Sequence, residues 1–196
     1  MFDLATMKLF FSMLAIATNV VVLGYFALLL GAGFSTAARD RLDWFYDLVA
    51  GREMLYGALV SGTAMLGSLY LSEIANLPPC RMCWWQRFIM YPVAVVLAVA
   101  AWRRYPKVRI PVSIAVLVGA GISGYHYLIQ WFPTLEGNSC SVTVPCTTAW
   151  FRVFGFISIP YMAGSAFALI LMFMLILHAN SGRDAALLTS ATADDA

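Results

Sequence analysis

Five long apolar stretches alternate with short polar or proline-rich breaks along the chain. They run from Leu9 to Phe34, Met54 to Ile74, Phe88 to Trp102, Ile110 to Phe132 and Phe156 to His178. Most of them approach the roughly 20 residues that a helix needs to cross a bilayer. Backbone polar groups in lipid must be satisfied within the segment, and the sequence lacks the alternating ten-residue pattern of membrane barrel strands. The pattern therefore predicts an all-α integral membrane helical bundle.

The first apolar stretch has two interpretations, a spanning helix or a cleaved signal peptide that ends at "STA". It is longer than the apolar region of a signal peptide, and Lys8 is the one basic residue before it. Cleavage would also leave the basic residues of the following break outside, against the positive-inside rule. These features favour a spanning helix. The break itself contains "RLDWFYDLVAG", which fits either a short amphipathic helix on the inner surface or a solvated connector.

The basic residues predict the orientation of the helices. Of the 12 Lys and Arg residues, eight lie in the breaks at one end of the predicted helices and four lie at the other end. The first group is Arg39, Arg41, Arg52, Arg103, Arg104, Lys107, Arg109 and Arg183. Loops rich in Lys and Arg stay in the cytoplasm. The two breaks that carry the cysteines, together with the N-terminus, are therefore predicted to face outward.

Composition agrees with a membrane protein and excludes one class of partner. Of the 196 residues, 62% are hydrophobic and 11% are charged, and the mean hydropathy is +0.80. A soluble domain has about 25% charged residues. The net charge of +2 is too small, and too scattered, to indicate a nucleic-acid partner.

All four cysteines lie in the two outward breaks, as Cys80 and Cys83 in "PPCRMCWWQR" and Cys140 and Cys146 in "CSVTVPC". An oxidising exterior permits disulfides of either a structural or a catalytic kind. The pattern disfavours zinc, because the second pair has five intervening residues and neither break contains a histidine. No metal is therefore expected, and two static disulfides or a redox site remain open.

The surroundings of the first pair favour redox chemistry. Two intervening residues would close a very small ring, which makes a disulfide easy to reduce. Arg87 follows Cys83 by four residues, about one helical turn, so its charge is expected to favour the Cys83 thiolate. The N-terminus of a following helix would favour the same anion. We therefore interpret this stretch as an electron-transfer site.

The order of motifs resembles a known family. "CRMCWWQRFIMYP" is followed by "GISGYHYLIQ", "CSVTVPC" and "FGFISIPYMAG". This series resembles the disulfide bond formation protein B (DsbB) family, and more closely its shorter BdbC branch, over about Met54 to His178. The resemblance implies a four-helix core plus one additional N-terminal helix. It divides the chain into residues 1–53 (helix and connector), 54–179 (redox domain) and 180–196 (polar cytoplasmic tail).

The resemblance also implies a function. Family members are thiol:disulfide oxidoreductases of the bacterial inner (plasma) membrane that reoxidise a thioredoxin-fold, DsbA-like protein and pass the electrons to a quinone, ubiquinone or menaquinone. By that likeness Cys140 and Cys146 exchange with the partner, first through Cys140, and Cys80 and Cys83 form the pair near the quinone. The alternative is a non-catalytic membrane scaffold whose loop disulfides are structural.

Three further residues are candidates for contact with the quinone. The resemblance makes Arg87 the quinone-side arginine. His126 is an ionisable residue inside an apolar helix, where such groups usually have a function. A neutral histidine bonded to a neighbouring helix is the alternative. Trp84 has the flat ring that packs against a quinone, although tryptophan is also common at membrane interfaces.

Overall fold

The computed structural model describes residues 3–137, 140 and 144–194, with side chains described as far as Arg183. Within these residues the chain forms six α-helices and an isolated β-bridge between Val153 and Ile157. The helices are α1 (Leu4–Gly31), α2 (Thr36–Val49), α3 (Glu53–Leu69), α4 (Arg81–Arg103), α5 (Arg109–Trp131) and α6 (Ile159–Asp194). A single π-helical turn, Tyr70–Ile74, continues α3. The fold class expected from the sequence is confirmed.

Five helical segments are long and apolar enough to cross a membrane. They are Leu4–Gly31, Glu53–Ile74, Arg81–Arg103, Pro106–Trp131 and Ile159–Arg183. Each overlaps one of the predicted apolar stretches, and the first, fourth and fifth stretches extend one to three residues beyond the helical segment. Helix α4 begins seven residues before the predicted Phe88, because the polar turn "RMCWWQR" is helical and places Cys83 and Arg87 within the span.

The break before Met54 is mostly helical, which decides between its two interpretations. Helix α2 buries Leu42, Tyr46 and Val49 on one face. The Tyr46 hydroxyl lies 3.4 Å from that of Tyr25 on α1. This spacing of apolar residues at every third or fourth position is typical of an amphipathic helix that packs on a bundle.

Helix α6 is the centre of the bundle. It packs against α1, α3 and α5, and α4 packs between α3 and α5. The fully buried side chains of the core come largely from α6, and they include Phe167, Ile170, Met172, Met174 and Ile176. The helix continues beyond the predicted end at His178 to Asp194, because the tail is rich in Ala and Leu, which are strong helix formers.

The up-and-down order of the helices places both cysteine segments at the same end of the bundle. Helix α3 ends there, α4 begins there, α5 ends there and α6 begins there. The connection from α3 to α4 carries Cys80. The longer connection from α5 to α6 carries Cys140 and Cys146.

Candidate functional site

Cys80 caps the N-terminus of α4. Its Sγ accepts a hydrogen bond from the backbone N–H of Cys83 at 3.3 Å. The Sγ atoms of Cys80 and Cys83 lie 2.9 Å apart, and both cysteines are free thiols. A helix N-terminus has a partial positive charge, so this position stabilises a thiolate.

His126 on α5 contacts the same thiol. Its Nε2 lies 3.6 Å from Cys80 Sγ, and its Nδ1 lies 3.2 Å from Nε2 of Gln86 on α4. All three side chains are buried. The amide nitrogen of Gln86 can only donate, so His126 Nδ1 accepts and the imidazole proton is on Nε2, which faces Cys80.

These contacts favour the thiolate of Cys80. The hydrogen bond with the Cys83 thiol is the largest cause of a pKa of Cys80 lowered to about 4, and His126 lowers that pKa further although burial opposes both. The sequence predicted Cys83 as the thiolate, from the position of Arg87. The difference arises because Cys80, as the capping residue, receives the helix N–H and the imidazole, which come from the fold.

The second pair forms a disulfide. Cys140 and Cys146 are bonded, with their Cα atoms 5.9 Å apart. The carboxylate of Glu136 accepts a hydrogen bond from the backbone N–H of Cys146 at 3.0 Å. Cys146 is fully buried, whereas Cys140 is half-buried. The bond to Glu136 therefore helps to hold the buried sulfur in place while Cys140 lies nearer the surface.

The two cysteine pairs belong to one packed cluster. Its buried members are Cys80, Cys146 and Ile129 of α5. Cys83 and Cys140 pack against it together with Met82 and Val144. All four predicted catalytic cysteines are thus brought together at one end of the bundle, an arrangement suited to thiol–disulfide exchange between the pairs.

An apolar cavity of about 280 Å³ begins beside Cys83 and extends into the bundle. Helices α1, α3, α4 and α6 form its walls. Its polar wall residues include Ser68, Gln86, Arg87 and Tyr91. The size is near the lower end of the range for small-molecule pockets, which are mostly apolar with a few polar groups.

Arg87 lies in the wall of this cavity. Its Nε donates to Ser68 Oγ at 2.9 Å and its Nη2 to Ser68 O at 3.0 Å. The guanidinium also lies over the ring of Trp84, 5.4 Å from the centroid. These contacts fix the charge next to the cavity, on the side where Cys83 also lines it.

Trp84 and His126 were also candidates for contact with the quinone. Neither is among the described residues that line the cavity. Trp84 is 59% exposed and supports Arg87 from outside the cavity, and His126 is buried behind Cys80. Cys83 therefore faces the cavity while Cys80 faces the histidine.

The fold brings a histidine close to the inner cysteine pair, which bears on metal binding. Ligand atoms of Cys80, Cys83 and His126 all lie within 4.8 Å of one another. Neither of the two breaks that carry the cysteines contains a histidine. His126 approaches from the middle of another apolar stretch, and the fold is what brings it to the pair.

Comparison with known proteins establishes the family. The model of the family described as disulfide bond formation protein DsbB matches residues 52–177, more than half of the chain. This chain belongs to the DsbB family. It is 40% identical over 124 residues to a probable disulfide formation protein of Oceanobacillus iheyensis, covering 62% of this chain and 86% of that relative. It is 43% identical over 120 residues to disulfide bond formation protein C of Bacillus subtilis, covering 61% and 87%. No solved structure gives a significant match.

Membership of the DsbB family confirms the resemblance inferred from the sequence. Together with the five apolar helices, it makes this chain a multi-pass membrane protein of disulfide bond formation. Helices α1 and α2 lie before the matched residues.

Sequence reasoning missed several residues of this candidate site. Ser68, Tyr91 and Glu136 were not singled out, and Gln86 was given no specific role. Tyr91 lies four residues after Arg87, so helical periodicity would have placed it on the same face. Ser68 and Glu136 come from other segments, and no pattern in the sequence links them to the cysteines.

Proposed function

We propose that this protein is a quinone-dependent protein-disulfide oxidoreductase. It reoxidises a DsbA-like thioredoxin-fold protein outside the cytoplasmic membrane and transfers the electrons through its two cysteine pairs to a membrane quinone. The observation that carries this proposal is the continuity of the site. A half-buried loop disulfide and a free cysteine pair share one cluster, and Cys83 of that pair opens onto an apolar cavity within the bundle.

The first step takes place at the loop. A thiolate of the reduced partner attacks Cys140, which is nearer the surface than Cys146, and the Cys140–Cys146 bond breaks to leave a mixed disulfide. The second partner thiol then attacks the mixed disulfide. The partner leaves with a new disulfide, and Cys140 and Cys146 have gained two electrons and two protons as thiols.

The second step moves these electrons inward. With Cys80 and Cys83 in the disulfide form, a loop thiolate attacks that bond, and a second exchange restores Cys140–Cys146 and leaves Cys80 and Cys83 reduced. The structure has this bonding pattern, with a loop disulfide beside two free thiols. The proton on His126 Nε2 and the α4 N-terminus stabilise Cys80 as a thiolate.

The residues of the cavity fit a quinone. Its walls are mainly apolar, as a prenylated ring requires, and the Arg87 guanidinium is beside Cys83. Tyr91 also lines the cavity, and its buried hydroxyl has no hydrogen-bond partner among the described residues. Buried hydroxyl groups normally have a partner. Arg87 and Tyr91 would hold the carbonyl oxygens of the ring.

A bound quinone supplies the acceptor of two electrons and two protons that returns Cys80 and Cys83 to the disulfide. The chain supplies the rest. Arg87 stabilises negative charge next to Cys83, where electrons leave the protein. Met90, Leu71 and their apolar neighbours line this end of the cavity, and such walls disfavour water beside the thiol.

The test uses purified protein, a reduced thioredoxin-fold substrate and a ubiquinone or menaquinone analogue. We expect many equivalents of substrate to be oxidised for each protein molecule, in step with the loss of quinone absorbance. Cys83→Ser should stop turnover after the loop disulfide is consumed. Cys146→Ser cannot form the loop disulfide, so its Cys140 can be joined to the substrate only at the expense of the oxidised inner pair. Cys140 attacks the Cys80–Cys83 bond, and a substrate thiolate then displaces the inner sulfur from Cys140. A mixed disulfide between Cys140 and the substrate should accumulate as Cys80 and Cys83 become thiols, because no second loop thiol remains to displace the substrate.

Two results would contradict the proposal. Continued turnover in Cys83→Ser would remove the inner pair from the pathway. A loop disulfide that does not exchange with the reduced substrate would make the protein a scaffold with a structural crosslink, since such disulfides resist mild dithiols.

A further inference from the structure

The N-terminal helix α1 contributes to the cavity beside Cys83. Four of its side chains line the cavity, namely Phe11, Leu14, Ala15 and Thr18. This helix ends before the residues that match the DsbB family begin, at residue 52. A wall of the candidate quinone site therefore comes from a part of the chain that the family match does not include.

Polar contacts join α1 to the centre of the bundle. The side-chain amide of Asn19 donates to the Tyr161 hydroxyl at 3.0 Å and to Ser165 Oγ at 2.9 Å, both on α6. Interhelical hydrogen bonds of this kind help to hold membrane helices together. Ser165 also lines the cavity. These hydrogen bonds therefore hold α1 in place next to the cavity.

Close packing joins α1 to α3 at the same level. The ring of Phe11 lies against Gly67, where a Cβ atom would come within 2.6 Å of the ring. Small residues let membrane helices approach this closely. Gly67 is adjacent to Ser68, which holds Arg87. Phe11 therefore lies at the level of the guanidinium, and later residues of α1 lie deeper in the bundle.

The wall that α1 forms extends away from the thiol. Phe11 and Thr18 are seven residues apart, which corresponds to about 10 Å along a helix at 1.5 Å per residue. On the facing helix α3, the cavity extends from Ser68 to Leu59. An elongated, mainly apolar space that leads inward from Cys83 and Arg87 suits a ring that carries a hydrocarbon chain.

We propose that α1 is part of the quinone-binding site and contacts the prenyl chain of the bound quinone through Ala15 and Thr18, with Phe11 near the ring. The identity of this ligand rests on the proposed function. A helix that is additional to the DsbB-family core then contacts the prenyl chain of the quinone. Substitutions in this helix change the affinity for quinone and leave the cysteine chemistry intact.

Binding tests the proposal without turnover. The protein with both cysteine pairs oxidised cannot reduce a quinone, so it is mixed with a decyl-benzoquinone analogue that has a photoreactive diazirine in its alkyl chain. After irradiation, we expect labelled peptides that contain Phe11 to Thr18, and unlabelled decyl-benzoquinone should compete for the labelling. Label confined to α3, α4 and α6 would overturn the proposal.

A matched pair of substitutions gives the second measurement. Ala15 is buried and lines the cavity, whereas Ala17 is exposed on the same helix. Ala15→Phe fills the inner cavity, so the dissociation constant of decyl-benzoquinone should rise about tenfold or more. Ala17→Phe should change it by less than about twofold. Equal effects of the two substitutions would contradict the proposal.

Loop exchange separates this proposal from the proposed function. The rate of a single exchange between the loop disulfide and reduced substrate, measured without quinone, should be the same in Ala15→Phe as in the wild-type protein. An unchanged rate shows that the variant is folded. If the wild-type protein binds and reduces quinone but its α1 is neither labelled nor sensitive to Ala15→Phe, only the role of α1 fails. If the wild-type protein neither binds nor reduces quinone, both proposals fail.

Discussion

At the scale of single residues, the two thiols of the inner pair have different surroundings. Cys80 receives the backbone N–H of Cys83 and faces the Nε2 of His126, whereas Cys83 faces the cavity. One thiol is therefore stabilised as an anion by donors that are built into the fold. The other is placed where an electron acceptor can reach it.

Titration of the reduced protein tests this difference. The pKa of Cys80 is lowered to about 4, with the Cys83 thiol as the largest cause, so its thiolate should persist in mildly acidic buffer. The ultraviolet absorbance of the thiolate measures this, and Cys80→Ser should abolish the acidic transition. Cys83→Ala removes the largest cause and should return the pKa of Cys80 towards the ordinary thiol value of about 8.5.

The same pKa makes the stability of the reduced protein depend on pH. A folded-state pKa below the unfolded value contributes stability that is complete above about pH 8.5 and decreases as the pH falls. The contribution is lost below about 4, where the folded Cys80 also binds a proton. Thermal unfolding of reduced wild-type protein should show this loss, and reduced Cys80→Ser should lack it.

Arg87→Met tests the residue next to the cavity. The variant keeps much of the side-chain length but loses the charge, so quinone reduction should slow, or its apparent KM should rise, by about tenfold to a hundredfold. A single exchange with reduced substrate should keep its rate. Arg87→Lys should recover part of the loss, because a point charge cannot reproduce the fork that binds Ser68.

Unchanged quinone kinetics in folded Arg87→Met would show that this arginine only fixes helix α4 to α3. Trp84→Phe is the companion variant. Trp84 lies under the guanidinium but outside the cavity wall, so its replacement by another aromatic ring should have a much smaller effect than loss of Arg87.

The chemistry of single residues could be predicted where it follows from local spacing. The positions of Cys80, Cys83 and Arg87 within one turn of a helix are of this kind. The contact of His126 with Cys80 and that of Arg87 with Ser68 are not, because each joins residues from different helices. Such contacts depend on how the helices are rotated and packed, which hydrophobic periodicity does not specify.

At the scale of helices, the small residues of α5 differ in their roles. Gly119, Gly121 and Gly124 are small residues of the kind that lets membrane helices pack closely. At Gly119 a Cβ atom would come within 2.5 Å of the Phe167 ring, whereas nothing lies within 4 Å of a Cβ at Gly121 or Gly124. Only the first of these three glycines is needed for the contact between α5 and α6.

Gly119→Ala should therefore destabilise the bundle, by about 1–3 kcal/mol, because the added methyl group meets a fully buried ring in a packed core. Gly121→Ala is the matched control on the same helix, and it should leave stability unchanged or slightly higher, since alanine is the better helix former. Thermal unfolding in detergent measures both. Equal stability of the two variants would contradict the packing described for α5.

The lengths of the helices show what the pattern could predict. Apolar stretches located all five spanning segments, because lipid requires a long apolar helix. Their ends were less certain, since α4 and α6 extend into polar sequence. For α2 the sequence left two interpretations, because three buried residues on a short helix make a weak signal.

At the scale of the whole molecule, orientation remains a prediction from charge. The connection between α4 and α5 carries "RRYPKVR", and the opposite end of the bundle carries both cysteine segments. Basic loops stay in the cytoplasm, so the cysteines should face the exterior. This agrees with an oxidising environment for the loop disulfide.

Reporter fusions test the orientation. A reporter fused after Lys107 should be active as a cytoplasmic protein, and one fused after Gly137 should be active as an exported protein. An exported signal at Lys107 would reverse the bundle and place the cysteines in the cytoplasm. Replacing the basic residues of this loop by neutral ones should weaken the preference, since their charge is its physical cause.

The contacts of α1 have a consequence for how the protein can be assembled. Only residues 32–35 connect α1 to α2, while Asn19 and Phe11 hold α1 against the other helices. Membrane helices insert independently and then associate, so the chain between them matters less than their fit. Cut within residues 32–35 and co-expressed as two polypeptides, the protein should reassemble in the membrane. The supply of helix α1 alone would then control how tightly the other polypeptide binds the quinone that we propose as its electron acceptor.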